Sequence, residues 1–257
     1  MGQALLNGWL GRGIGPVTVV EPNPSAAIRG LARKRRVRLH ADIEETGAAT
    51  YAACVIAIKP QILKTEAVRL KQIGDNGALL ISIAAGTSIK TLAKACGARA
   101  RIIRAMPNLP GAIGKGISAL YPARRVTAAD RKTATELLSA LGEVVWVPRE
   151  SMIDTVTAVS GSGPAYVFLM AEALARAAAK EGLPPKLAEQ FARATIVGAG
   201  ALLDAGDQTP GELRTAVTSP KGTTEAALGV LMGSDALADL VGRAVAAARK
   251  RAIELQG

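Results

Sequence analysis

Histidine is almost missing from this chain of 257 residues, where His40 stands alone. One imidazole leaves no room for a His-based metal centre or a Ser-His-Asp relay, so His40 is read as structural and both reaction classes drop out. Cysteine is nearly as scarce. Cys54 and Cys96 sit in apolar or alanine-rich surroundings rather than at metal-ligand spacing, the setting of buried, reduced thiols. Aromatic residues are only 3% of the chain, too few and too scattered for a base-stacking platform, which argues against a nucleic-acid partner. No apolar stretch reaches membrane-spanning length without a charge or a glycine, and the first residues lack the pattern of a secretory signal. The expectation is a soluble, cytoplasmic protein with no membrane partner.

What is abundant is small apolar residue and positive charge. Apolar residues make up 49%, enough to fill two cores built of Ala, Leu, Val and Ile. The formal charge is +11. Most of it is scattered, with one dense run at Arg33-Lys34-Arg35-Arg36, so it suits either attraction of a dinucleotide or a small carboxylate, or plain solvation of a helix end.

The first half alternates short β-branched runs with helix-like segments, the pattern of an α/β, Rossmann-like doubly wound domain. Strands are expected at 17–21, 53–58, 78–83, 101–105, 117–121 and 143–147, and helices at 2–10, 25–35, 60–72, 88–96 and 128–141. Strand 53–58 is apolar throughout and is expected in the sheet interior. Beyond about residue 150 the β signal ends. Segments 151–181, 184–206, 210–217, 223–232 and 234–255 read as helices broken by Gly and Pro. Two domains are expected, 1–150 and an all-α 151–257 whose surplus apolar surface calls for a second subunit.

Two stretches carry chemistry. At the start, Gly2 opens a helix and a strand follows that ends on Glu21, which is the second half of a dinucleotide fingerprint: a glycine for close helix packing and an acid for a ribose hydroxyl. The first strand and first two glycines of that fingerprint are not in the sequence, and the expectation is that the protein starts upstream of Met1. Near the end, VTSPKGTTEAAL at 217–228 breaks at Ser219-Pro220 and restarts a helix at Gly222-Thr223-Thr224. Such a start is either an ordinary capped helix or an anion site made of free amides and hydroxyls.

With AIKPQ at 57–61, SIAAGTSI at 82–89, RAMPNLP at 104–110 and AVSGSGPAYVF at 158–168, these motifs resemble the pyrroline-5-carboxylate reductases over nearly the whole chain. The resemblance implies reduction of 1-pyrroline-5-carboxylate to L-proline by hydride transfer from NADPH or NADH, the last step of proline biosynthesis, in a homodimer or higher homo-oligomer formed through the C-terminal helices. It implies Thr224 as the group at the ring nitrogen, with Ser160, Ser219, Gly222 and Thr223 also binding substrate. It implies Gly2, Gln3, Glu21, Asn23, Ile58, Lys59, Pro60, Ala84, Met106 and Asn108 around the cofactor. Lys221 departs from the family pattern, which usually has glycine there, and Leu109 stands where a small polar Thr is common. Glu21 favours NADH, whereas Asn23, Ser25, Arg29 or the basic run would serve the 2′-phosphate of NADPH. Two other readings remain at this stage: a non-catalytic nucleotide-binding oligomer, and a related β-hydroxyacid-type dehydrogenase, which would need a lysine that segment 160–176 lacks.

Overall fold

The computed structural model describes residues 1–47, 49–63 and 65–255. They form two compact units, Met1–Gly161 with Ala248–Gly257, and Ser162–Ala247.

The first unit is α/β. Its chain runs α1 (Gly2–Gly11), β1 (Thr18–Val20), α2 (Ala26–Arg33), β2 (Arg38–His40), β3 (Ala53–Ile56), α3 (Pro60–Leu63), α4 (Ala67–Asp75), β4 (Leu79–Ser82), α5 (Ile89–Cys96) and β5 (Arg101–Met106). It continues through β6 (Gly116–Pro122), α6 (Ala128–Ser139), β7 (Gly142–Trp146) and α7 (Met152–Val156). Five strands make one sheet in the order β3-β4-β5-β6-β7, and β1 and β2 pair in a separate parallel ribbon. Successive side chains on a strand face opposite ways, so each strand feeds two cores. Leu79, Ile81, Ile103 and Ala105 join Leu5 of α1 and Leu138 of α6, whereas Leu80 and Ile102 join Leu70 of α4 and Leu92 of α5. Helices therefore cover both faces, as doubly wound sheets require.

Three expectations need correction. β3 is an edge strand of the five-stranded sheet, paired only with β4 among the described residues, and not an interior one. A continuous apolar run marks burial of both faces but does not tell which edges are paired. Segment 60–72 is two helices, because the Ile62 carbonyl takes the Thr65 hydroxyl at 2.7 Å together with the amides of Thr65 and Glu66 and closes the first turn. Segment 151–181 is broken as well: a π turn at Thr157–Gly161 separates α7 from α8 (Gly163–Lys180). Pro164 has no amide hydrogen and its ring crowds the carbonyl one turn back, which ends the regular ladder there. β2 was not anticipated, since charged Arg38 and His40 hide its period. The sheet is also not wholly parallel. β6 runs antiparallel to β5, because the link between them holds only a 3-10 turn at Leu109–Ile113 and is too short for a crossover.

The second unit is helical: α8, α9 (Pro185–Ala205), α10 (Pro210–Ala216), α11 (Thr223–Met232) and most of α12 (Ala236–Glu254). α10 starts on a capping box, in which Thr209 and Glu212 satisfy each other's backbone amides. Those bonds hold the Glu212 carboxyl below its ordinary pKa, the Thr209 hydroxyl contributing most. α8 and α9 pack along each other, yet α8 and α11 bury no residue. Phe168, Phe191, Val197 and Val230 are 55%, 59%, 64% and 77% exposed, an apolar surface that marks an interface. No helix of the described residues is long and apolar enough to cross a membrane.

Cys96 of α5 belongs to the core cluster against which Cys54 of β3 packs. Burial pushes the Cys54 thiol up to about 12, with Cys96 adding a smaller electrostatic contribution, and burial alone pushes Cys96 up to about 11. Both pKa values are raised, so at pH 8 the reactive thiolate is depleted by about a hundredfold or more against an ordinary thiol. Iodoacetamide at pH 8 is expected to label the folded protein at least about tenfold more slowly than the chain in urea, as read by mass spectrometry; equal rates would contradict the burial of these thiols.

Candidate functional site

In the first unit, the register of the sheet lines up three of the expected cofactor residues. Ile56, Ser82 and Arg104 pair across β3, β4 and β5, and Ile58, Ala84 and Met106 each lie two residues further on. They sit at the C-terminal ends of adjacent parallel strands, where open α/β sheets take their ligands. Lys59 follows Ile58, is exposed, and offers its carbonyl to the Ile62 amide at 2.9 Å. Pro60 begins α3, and its side chain lies outside what the structure describes. Ala84 is buried and its amide is held by the Ser82 hydroxyl at 3.3 Å. Asn108 uses its side-chain carbonyl to accept from the Ile117 amide at 3.0 Å, so this oxygen fixes the start of β6.

The residues present fit a dinucleotide. Gly2 opens α1, and a Cβ built on it would come within 3.1 Å of the Ala57 Cβ, so a side chain here would push the helix start a few tenths of an ångström from the end of β3. No side chain caps α1, which leaves its first amides, with Gln3 exposed beside them, for an anion. Glu21 follows β1, half-buried, and its carboxylate accepts from the Asn23 amide at 3.0 Å. Ser25 is committed to capping α2, since its hydroxyl accepts from the Ile28 amide. Arg29 and the 33–36 run are exposed. In the loop after β4, Thr87 is buried and its Oγ1 has no hydrogen-bond partner among the described residues, an orphaned polar group where a ligand group would relieve a cost of about 1–3 kcal/mol.

Ser160 lies in the π turn, its hydroxyl donating to the Val156 carbonyl at 3.1 Å. A Cβ on the next residue, Gly161, would reach within 2.8 Å of the Met106 Cε. The turn that carries Ser160 is therefore brought against Met106, so that one residue expected at the substrate and one expected at the cofactor lie in one place.

Sequence reasoning missed what lies beneath this row. Arg104, 2% exposed, directs Nη2 to Asp154 Oδ1 at 2.9 Å and Nη1 to Glu150 Oε1 at 3.3 Å. The same Glu150 oxygen accepts from the Ile89 amide at 2.7 Å, at the start of α5. The signal is present: Arg104, the one arginine within the buried part of RIIRAM, must find carboxylates.

In the second unit, the substrate motif forms a turn and a helix start. The Gly222 amide donates to the Ser219 carbonyl at 3.0 Å, and the Lys221 amide to Glu225 Oε2 at 2.6 Å. Gly222 is the N-cap of α11, with no side chain over the first turn. The Thr223, Thr224 and Glu225 amides have no partner among the described residues. Two corrections follow. The Gly222 amide is consumed by the turn and cannot hold a ligand, and no Ser or Thr hydroxyl caps the helix. Gly222 is needed for another reason: a Cβ there would collide with the Ser219 hydroxyl. Ser219 and Thr223 are exposed, and Thr224 is half-buried.

A family model described as pyrroline-5-carboxylate reductase dimerisation matches residues 150–255. Over 99% of its length the chain is 36% identical to the pyrroline-5-carboxylate reductase of Pseudomonas aeruginosa, of which it covers 93%. It is similar to the solved pyrroline-5-carboxylate reductase of Coxiella burnetii, with 34% identity, a TM-score of 0.90, and coverage of 100% of this chain and 95% of that one. It is likewise similar to the pyrroline carboxylate reductase of Plasmodium falciparum, solved with NADP bound, at 28% identity, a TM-score of 0.82 and the same coverage.

Lys221 holds a left-handed backbone, φ 58°, which costs a residue with a side chain about 1 kcal/mol relative to glycine. Lys221→Gly is expected to raise stability by up to about 1 kcal/mol, measured by urea unfolding. A loss of more than that would show that the lysine side chain supports the turn.

Proposed function

The chain belongs to the pyrroline-5-carboxylate reductase family, and from that premise we propose which of its residues reduce 1-pyrroline-5-carboxylate to L-proline with NADPH or NADH. The observation that carries the assignment is the uncapped start of α11. Its free amides and the positive end of the helix dipole suit the substrate carboxylate.

In this reading the amides of Thr223 and Thr224, with the hydroxyls of Ser219 and Thr223, hold the carboxylate. Gly222 contributes the space that keeps the Ser219 hydroxyl in place. The Thr224 hydroxyl hydrogen-bonds the ring nitrogen and holds the proton there as the imine carbon is reduced. Ser160, which belongs to the first unit, is assigned to substrate by its motif. No metal and no strong base is called for, because the ring nitrogen takes or already holds its proton.

For the cofactor, Gly2 and Gln3 take phosphate at the start of α1. Glu21 and Asn23 meet the adenosine ribose, and Ile58, Lys59, Pro60, Ala84, Met106 and Asn108 line the nicotinamide half. When bound, the reduced nicotinamide supplies the hydride. With Ser25 spent on its cap, Arg29 and the basic run are the groups left to meet a 2′-phosphate.

Residues 1–150 are assigned to nucleotide binding and 151–257 to substrate and dimerisation, although α7, the Ser160 turn and the end of α12 group with the first unit. The apolar, unburied faces of α8 and α11 and the dimerisation model support a homodimer or larger assembly through these helices. Two free thiols fit the reducing cytoplasm. Family membership sets aside the two other readings weighed on sequence, the non-catalytic oligomer and the β-hydroxyacid dehydrogenase.

The test is turnover of 1-pyrroline-5-carboxylate with NADPH followed by loss of nicotinamide absorbance. Thr224→Ala is expected to lower kcat by about 10²-fold, with Thr224→Ser keeping most of it and the KM for NADPH within about twofold in both. Full activity in Thr224→Ala would remove this residue from the chemistry.

A further inference from the structure

The charged cluster under the cofactor edge has no part in the scheme above, although it joins three of the segments that carry the scheme's residues: the loop after β4, the end of β5, and α7 with the turn that follows it. Arg104 sits in the paired row Ile56–Ser82–Arg104. Met106, two residues later, leaves the strand on the same face, and it packs against the same small core of Ala119, Val147 and Ile153 as Met152 and Val156 of α7. Asp154 lies within α7 and Glu150 just ahead of it. Glu150 Oε1 is shared between Arg104 Nη1 at 3.3 Å and the Ile89 amide at 2.7 Å, and Ile89 closes the loop that carries Ala84 and Thr87. Next to Asp154 in α7, the Thr155 hydroxyl accepts from Arg249 Nε at 3.1 Å. One guanidinium and one shared carboxylate oxygen thus tie the loop after β4, the end of β5, and the helix that runs on into the Ser160 turn.

A guanidinium whose side chain is only 3% exposed is an inefficient stabiliser, because losing water offsets most of what its partners return. What it does supply is fixed geometry: a planar fork accepts carboxylates in few orientations. We propose that Glu150 and Arg104 are positioning residues for the reductase reaction, holding the loops of Ala84 and Met106 and the Ser160 turn in the one arrangement in which hydride transfer is productive. This rests on the reductase reading. Neither residue is placed in contact with substrate or cofactor, and their effect passes through the loops they tie.

Glu150→Gln tests this. The amide keeps the shape and the carbonyl acceptor for Ile89 but removes the charge that orients Arg104. In the full chain beside wild type, NADPH affinity and emission are read by nicotinamide fluorescence, turnover by absorbance, and folding by a circular-dichroism melt. The expected result is an NADPH Kd and both KM values within about threefold, kcat lower by about tenfold or more, and bound emission shifted toward that of the free cofactor. Unchanged kcat and emission would overturn the proposal. So would a tenfold weaker Kd with kcat kept, which would make Glu150 a binding residue, or a lost melt, which would make the cluster a structural post. If wild type binds NADPH but does not turn over 1-pyrroline-5-carboxylate, the reductase reading fails on its own and the emission shift alone decides the positioning role.

Discussion

A helix that begins on glycine leaves its first amide hydrogens for something other than itself, and α11 does so at the motif 219–224. Its neighbours absorb the competing groups. The Ser219 carbonyl takes the Gly222 amide, and Glu225 turns back to the Lys221 amide, so the remaining donors are those of Thr223, Thr224 and Glu225. An anion at such a terminus gains about 0.3–1 kcal/mol from the dipole at the surface and up to about 2 when partly buried. That is modest for affinity but directional, and direction is what a hydride acceptor needs: in the proposed scheme the carboxylate fixes one end of the ring and the Thr224 hydroxyl meets the nitrogen.

The first unit supplies the other requirement, an edge of loops held still. Its order follows from the sheet. Three parallel strands in register bring Ile58, Ala84 and Met106 to the same level, and tight contacts set what lies on top: Gly2 against Ala57, and Gly161 against Met106. The Arg104 cluster ties β5 to α7 and to the start of α5, and the loop after β4 leaves the Thr87 hydroxyl unpartnered among the described residues. Stability and function pull apart here, since an all-apolar cluster would be easier to bury.

Much of this was legible in the residues. The β-branched runs placed the strands of the five-stranded sheet, and Gly-Pro breaks placed the helices of the second unit. The fold class follows from periodicity, which is a local property. Pairing is not local, so the edge position of β3 and the antiparallel β6 could not be read from runs that look alike whichever neighbour they have. The π turn was half legible: Gly161, Gly163 and Pro164 announce a break, but only the Met106 contact shows why it must be close. At the substrate motif, composition suggested hydroxyl caps and a Gly222 donor. The structure instead assigns Gly222 a steric role, because a hydrogen bond within the turn uses its amide first. Arg104 was visible as an oddity in an apolar strand, whereas Glu150 and Asp154, distant in sequence and ordinary in context, were not.

The account rests on the α11 start gripping a carboxylate, and a crystal of the protein soaked with L-proline examines that directly. The prediction is a carboxylate oxygen within hydrogen-bond distance of the Thr223 or Thr224 amide and the ring nitrogen against the Thr224 hydroxyl. Proline bound away from residues 219–224, with these amides facing only water, would contradict it.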